Sequence, residues 1–148
     1  MTDYEHTETG WVIIVVMGAT MAGIYAAFTF GAMPGGGGVQ ALMQSLLLLS
    51  LLNFYRQRVT VDGQAVRLSM GLGLIRRRVP LAEIASAAPF KAPWLYGWGI
   101  HYVGDGWIFN VSSLDCVELR FKNGRRLLVG TDDQLALHAA IAGRLAKI

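Results

Sequence analysis

The side chains able to do chemistry are few and scattered. His6, His101 and His138 lie far apart, Cys116 is the only cysteine, and no two of these have metal-ligand spacing. Ser112 or Ser113 with His101 and Asp115 can be written as a nucleophilic triad, but no Gly-x-Ser-x-Gly elbow supports it. Gly35-Gly36-Gly37-Gly38 has the composition of a phosphate cradle. No Gly-Lys-Ser/Thr follows and no strand pattern precedes, so the P-loop reading fails. Asn110-Val111-Ser112 fits the glycosylation pattern but falls in a segment expected to be a cytoplasmic strand. No acid–base, metal or cofactor set emerges. The chain is expected to be no enzyme and to need no cofactor and no nucleic acid.

Two binding features remain. Arg76-Arg77-Arg78 is the only three-residue basic run, and Arg56 and Arg58 add to it. On a domain held beside a bilayer these form a basic face, and each Lys or Arg near an anionic leaflet contributes about 1 kcal/mol. The competing reading is a solvated strand edge that charge protects from aggregation, and the two weigh evenly. Trp94, Trp98 and Trp107 fit a ligand platform or a membrane-facing belt, although such aromatics more often pack the core and rim of a small barrel.

The element that must position all of these is the stretch from Trp11 to Tyr55, which contains no Asp, Glu, Lys, Arg or His. Residues 11–33 and 39–55 are two apolar runs broken at Pro34 and the four glycines. The first is long enough to cross a hydrocarbon core of roughly 30 Å, and the second is at the short end of that range. A two-helix transmembrane hairpin is expected. The first run is too long for a signal-peptide core and its preceding segment is acidic. Gly18, Ala22 and Ala26 lie on one helical stripe, and Ala19, Gly23 and Ala27 on the next. Small residues at this spacing let helix backbones approach closely, here against the second helix or else against another subunit. Gln40 and Gln44 are placed to bond across to the first helix. Neither run carries a carboxylate, Lys or His, which argues against a transporter or channel.

Just over half of the 148 residues are hydrophobic and 16% are charged, and the apolar excess sits in the hairpin. Residues 1–10 hold Asp3, Glu5 and Glu8, lack periodicity and are expected to be a mobile tail. All 13 Lys and Arg follow the hairpin. Positive residues flanking a span stay in the cytoplasm, so both termini are expected there.

Residues 56–148 read as a separate cytoplasmic domain. Val59 and Val61 alternate with polar residues up to Asp62-Gly63, a hairpin signal, and Val66, Leu68 and Met70 alternate after it. Pro80 marks a strand end. Aromatic and β-branched residues flank a Gly104-Asp105-Gly106 turn. Val117, Leu119 and Phe121 form a half-buried strand, and Asn123-Gly124 turns it back. Thr131 with Gln134 suggests a capping box, and Leu137, Ile141, Leu145 and Ile148 form the stripe of a terminal helix. The expectation is about seven antiparallel strands closed by one helix.

This pattern resembles the bacterial pleckstrin-homology-like (PH-like) family, in particular its small membrane-anchored members. The likeness rests on Tyr96-Gly97-Trp98-Gly99-Ile100, Gly106-Trp107-Ile108-Phe109-Asn110-Val111, Val117-Glu118-Leu119, Gly124-Arg125-Arg126 and Gly130-Thr131-Asp132-Asp133. It covers roughly residues 56–146. It implies a seven-stranded bent barrel with a C-terminal helix, often following one or more transmembrane helices, and it carries over no catalytic residues; a bacterial inner-membrane location is expected. The expected function is a binding module for a protein or for the anionic lipid surface. The alternative is an accessory subunit or assembly factor of a larger membrane complex, with the helices making the main contacts.

Overall fold

The structure is a computed structural model and describes residues 2–147. Strand β1 (Thr2–Thr9) leads into helix α1 (Trp11–Thr29), which is followed by helix α2 (Gly37–Phe54). Strands β2 (Arg56–Asp62), β3 (Ala65–Met70) and β4 (Ile75–Pro80) come next. They are followed by β5 (Ile84–Lys91), β6 (Gly99–Tyr102), β7 (Gly106–Asn110), β8 (Asp115–Phe121), β9 (Arg126–Gly130) and helix α3 (Gln134–Leu145).

Both α1 and α2 are long and apolar enough to cross a membrane. Almost none of their surface is buried within the protein, so they are not the core helices of a soluble fold. Gln44 donates to the Met21 carbonyl at 2.8 Å across the pair, as the sequence suggested. Helix α1 stops at Thr29, short of the expected Met33. There Ala32 N–H reaches back to the Ala27 carbonyl at 2.8 Å and Gly31 takes a positive φ of 70°. The small-residue stripes do not pack on α2. Gly18, Ala19, Ala22 and Gly23 are exposed, and a Cβ added at Gly18 or Gly23 would meet nothing within 4 Å. Ala26 and Ala27 are half-buried.

The first ten residues are not a mobile tail. Strand β1 pairs antiparallel with β2 along its length, from Thr2 opposite Asp62 to Thr9 opposite Arg56. The helical hairpin is thus inserted into the β1–β2 connection, and strand β1 of the first sheet precedes the helices. Sequence periodicity missed β1 because its inward residues are Tyr4, His6 and Glu8, which give no apolar alternation.

Among the described residues, nine strands form two sheets, in the orders β1-β2-β3-β4 and β5-β8-β9-β7-β6. Two departures from the expected meander stand out. The β7–β9 pair is parallel, and the sheets do not join into a closed barrel. The core lies between them. Val59, Val61, Val66, Leu68 and Met70 of the first sheet meet Phe109, Val117, Leu119, Leu127 and Val129 of the second, and Leu137 and Ile141 of α3 cover the open side. Ile13 and Phe54 extend this core to the helix ends. The capping box does not form. Thr131 Oγ1 accepts from Asp133 N–H at 3.1 Å, and Gln134 instead donates to the Phe90 and Cys116 carbonyls at 3.0 and 2.6 Å. This fixes α3 on the sheet. Ile148 of the expected stripe lies outside the described residues.

Candidate functional site

The helices leave the domain at one end. Gly10 N–H donates to the Tyr55 carbonyl at 2.8 Å, closing the neck of the hairpin. A Cβ on Gly10 would lie 2.9 Å from the Phe54 carbonyl oxygen and 3.1 Å from Val111 Cβ, so the β7–β8 loop abuts this neck. On the other side the β3–β4 turn packs against α2. Leu72 N–H donates to the Leu52 carbonyl at 3.2 Å. Gly71, at φ 53°, has room for no side chain, since a Cβ would fall 2.2 Å from that same carbonyl oxygen. Both sheets therefore present their turns and strand ends at the point where the spans emerge.

The outer face of the first sheet carries the charge. Alternation along β2, β3 and β4 turns Arg56, Arg58, Arg67, Arg76 and Arg78 outward while the intervening apolar residues enter the core. Register sets their order: Arg58 lies opposite Ser69 and Ser69 opposite Arg76, whereas Thr60 lies opposite Arg67 and Arg67 opposite Arg78. Two carboxylates answer these cations among the described residues. Glu5 pairs with Arg58, and Asp62 pairs with Arg67 at 2.9 Å. The Asp62 carboxyl is held below its usual range by the Gln64 and Ala65 backbone N–H groups, with Arg67 adding to the effect. Like charges face each other directly at Arg67 and Arg78, an arrangement that opposes folding and that a bound anion relieves.

Of the arginines expected on this face, Arg56, Arg58, Arg76 and Arg78 are present and Arg77 is not. Arg77 occupies the inward register of β4 with Ile75 and Val79, and its guanidinium lies over the Phe109 ring at 5.6 Å. Arg67 joins the face and was missed. As a lone cation between Val66 and Leu68, it reads from sequence only as the polar partner of a half-buried strand.

The three tryptophans do not form one site. Trp107 stacks edge-to-face on Tyr102 at 5.8 Å, by the β6–β7 turn at the end away from the helices. Trp94 and Trp98 lie at the helix-bearing end. Trp94 sits in a 3-10 turn and is 70% exposed, next to Leu95 at 75%. Trp98 is half-covered, donates to the Ser112 carbonyl at 2.8 Å, and lines an apolar recess of about 390 Å³ with Val12, Val16, Phe54 and Ile100. Trp98 thus lies beside the ends of α1 and α2, whereas Trp107 does not.

Ser113 and Asp115 of the written triad have other partners, while His101 Nε2 is buried with no hydrogen-bond partner among the described residues. Ser113 Oγ accepts from Asp115 N–H at 3.0 Å, and Ser113 N–H donates to Glu8 Oε1 at 2.6 Å. His6 pairs with Asp132 at 2.5 Å, tying β1 to the start of α3. His138 faces the Ala87 carbonyl at 3.2 Å. Cys116 is fully buried, and burial, with Asp115 nearby, pushes its thiol up to about 12. That keeps it protonated and unreactive. No known family model matches the chain, and no curated protein matches it in sequence.

Proposed function

We propose that the chain is a non-enzymatic protein of the bacterial inner membrane, in which the helical hairpin holds a PH-like cytoplasmic module against the leaflet and the module binds the anionic lipid surface. The observation that carries this reading is the outer face of the first sheet, which starts at the end of α2 and carries five arginines against two facing carboxylates. Strands rise about 3.3 Å per residue, so Arg58 and Arg76 lie at most about 7 Å beyond Arg56 and Arg67 at most about 13 Å. Surface potential decays over about 8 Å at physiological salt. Arg56, Arg58 and Arg76 therefore feel the leaflet most. At about 1 kcal/mol for each cation without a carboxylate partner, the attraction is about 2 kcal/mol. That is too weak to recruit a free domain and ample for one whose anchor holds it beside the lipid.

The test is hydrogen exchange of the full-length protein in nanodiscs. Anionic discs are expected to protect β2, β3 and β4 at low salt relative to neutral discs, and high salt to remove the difference. Identical exchange in both discs at low salt would sink the lipid-surface reading.

A second reading is the accessory subunit of a membrane complex. It is favoured by one observation, that Gly18, Ala19, Ala22 and Gly23 face away from α2 and leave a close-approach surface on α1 open. Purification in mild detergent distinguishes it by yielding a stoichiometric second membrane protein.

A further inference from the structure

We infer that the foot of the first sheet is a discrete phosphodiester site for one anionic phospholipid of the leaflet that the hairpin spans. The inference rests on the lipid-surface reading and narrows it from a diffuse face to one place.

The site is a small cavity of about 220 Å³ lined by Thr7, Arg56, Arg58, Ser69, Leu72 and Arg76 together with the backbone of Gly71 and Gly73. Every polar side chain lining it can donate a hydrogen bond, and no carboxylate lines it. Glu5, on the same strand as Thr7, is held by Arg58. Arg56 and Arg76 are arranged alike. Arg56 Nε donates to the Gly71 carbonyl at 3.1 Å and Arg76 Nε to the Gly73 carbonyl at 2.5 Å. Each bond uses the inner nitrogen to fix the guanidinium against the β3–β4 turn. The terminal nitrogens of both have no hydrogen-bond acceptor among the described residues. A Cβ built on Gly73 would meet Arg76 Nη2 at 3.3 Å and Ser69 Oγ at 3.5 Å, so a guanidinium nitrogen and a hydroxyl converge on one point where the chain places no side chain. Two preset forks and two hydroxyls suit the oxygens of a phosphodiester.

The turn that holds the forks also says where the phosphate comes from. Leu72 N–H is bonded to the last turn of α2, which sets the cavity at the depth where the span ends. Leu72 and Leu74 on this turn are 57% and 76% exposed. Two bare leucines directly beside an arginine cluster are poorly placed in water. They are well placed in the acyl and glycerol region, with the arginines at headgroup level. A free phosphate would use the forks and leave the leucines uncovered, whereas a phospholipid uses both.

The experiment is native mass spectrometry of the full-length protein released from nanodiscs of equal phosphatidylglycerol and phosphatidylcholine, with thermal melting confirming that each variant is folded. The wild type is expected to retain one phosphatidylglycerol in preference to phosphatidylcholine. R56Q/R76Q is expected to lose that preference by at least about tenfold, since two charge-assisted contacts go. R67Q/R78Q, farther up the same face, is expected to keep it. Equal losses from the two pairs would overturn the discrete site while leaving the lipid-surface reading standing. No preference in the wild type would overturn both. Displacement of the retained lipid by millimolar inorganic phosphate would overturn the phospholipid as occupant.

Discussion

Glu8 offers a sharp test of the arrangement that joins the two sheets at the membrane. Its side chain is 4% exposed, and it stands opposite Gln57 in the β1–β2 register. One carboxyl oxygen accepts from Ser113 N–H, while Glu8 Oε2 and Gln57 Oε1 are both buried without a partner. Gln57 already commits its amide nitrogen to the Gly130 carbonyl at 2.9 Å. Two acceptors on neighbouring strands thus lack a donor, and a proton on Glu8 supplies one. Burial pushes the Glu8 carboxyl up from 4.5 to about 7, against the opposing pull of the Ser113 N–H. The folded state holds this proton more tightly than the unfolded chain does. The stabilisation is therefore complete below about pH 4.5 and is lost as pH rises through about 7. At 1.36 kcal/mol per pH unit of displacement, the loss is about 3 kcal/mol. Glu8→Gln replaces the protonated acid with an amide of the same shape, which donates at every pH. Melting of the full-length protein in neutral nanodiscs, at pH 5 and pH 8.5, reads the difference. The variant is expected to match the wild type at pH 5. At pH 8.5 it should exceed it by about 3 kcal/mol, on the order of 10 °C for a domain of about 100 residues. Parallel pH dependence of the two proteins would refute the reasoning, because Glu8 would then be ionised in the fold at no cost.

Three further outcomes follow from the geometry. Residues 56–148 alone lack β1 and expose the β2 edge, so this fragment is expected to aggregate. Joining residues 1–10 to 55–148, as the 2.8 Å Gly10–Tyr55 bond allows, should give a soluble β-rich monomer with a cooperative thermal transition. A cooperative fragment 56–148 of equal stability would show that β1 is dispensable. Gly71→Ala must leave φ 53° or displace the Leu52 carbonyl, and a loss of about 1–3 kcal/mol is expected from backbone strain alone; an unchanged melting temperature would mean that the turn does not seat on α2. Because β1 and β2 pair at the neck, reporters fused to the two termini should agree, and the positive-inside bias makes both active in the cytoplasm. A split result would be incompatible with the β1–β2 pairing.

Sequence alone determined the features that depend on local composition. A stretch without charges from Trp11 to Tyr55 predicts long apolar helices, and the structure has two helices there that are long and apolar enough to cross a membrane, separated by residues 30–36. Period-two alternation in β2 and β3 marked which apolar residues enter the core, whereas β8, expected to be half-buried, buries Cys116 and Glu118 as well as Val117 and Leu119. The same alternation turns Arg76 and Arg78 outward and Arg77 inward. Tertiary structure decided what alternation cannot encode. Strand β1 faces inward with Tyr4, His6 and Glu8, and these are tolerable only because Asp133, Asp132 and Ser113 wait for them from more than one hundred residues away. The parallel β7–β9 pairing is a matter of chain path, not of residue type. The small residues of α1 are equally compatible with either helix face, and only packing turned them away from α2. The tryptophans look alike in sequence, yet strand direction sends Trp107 to the far end while a loop holds Trp98 beside α1 and α2. The arginine-lined cavity at the foot of the first sheet is the clearest case. Its arginines come from two strands, its hydroxyls from two, and the carbonyls that aim the forks from a turn. No linear spacing records that convergence, because cross-strand register alone brings them together.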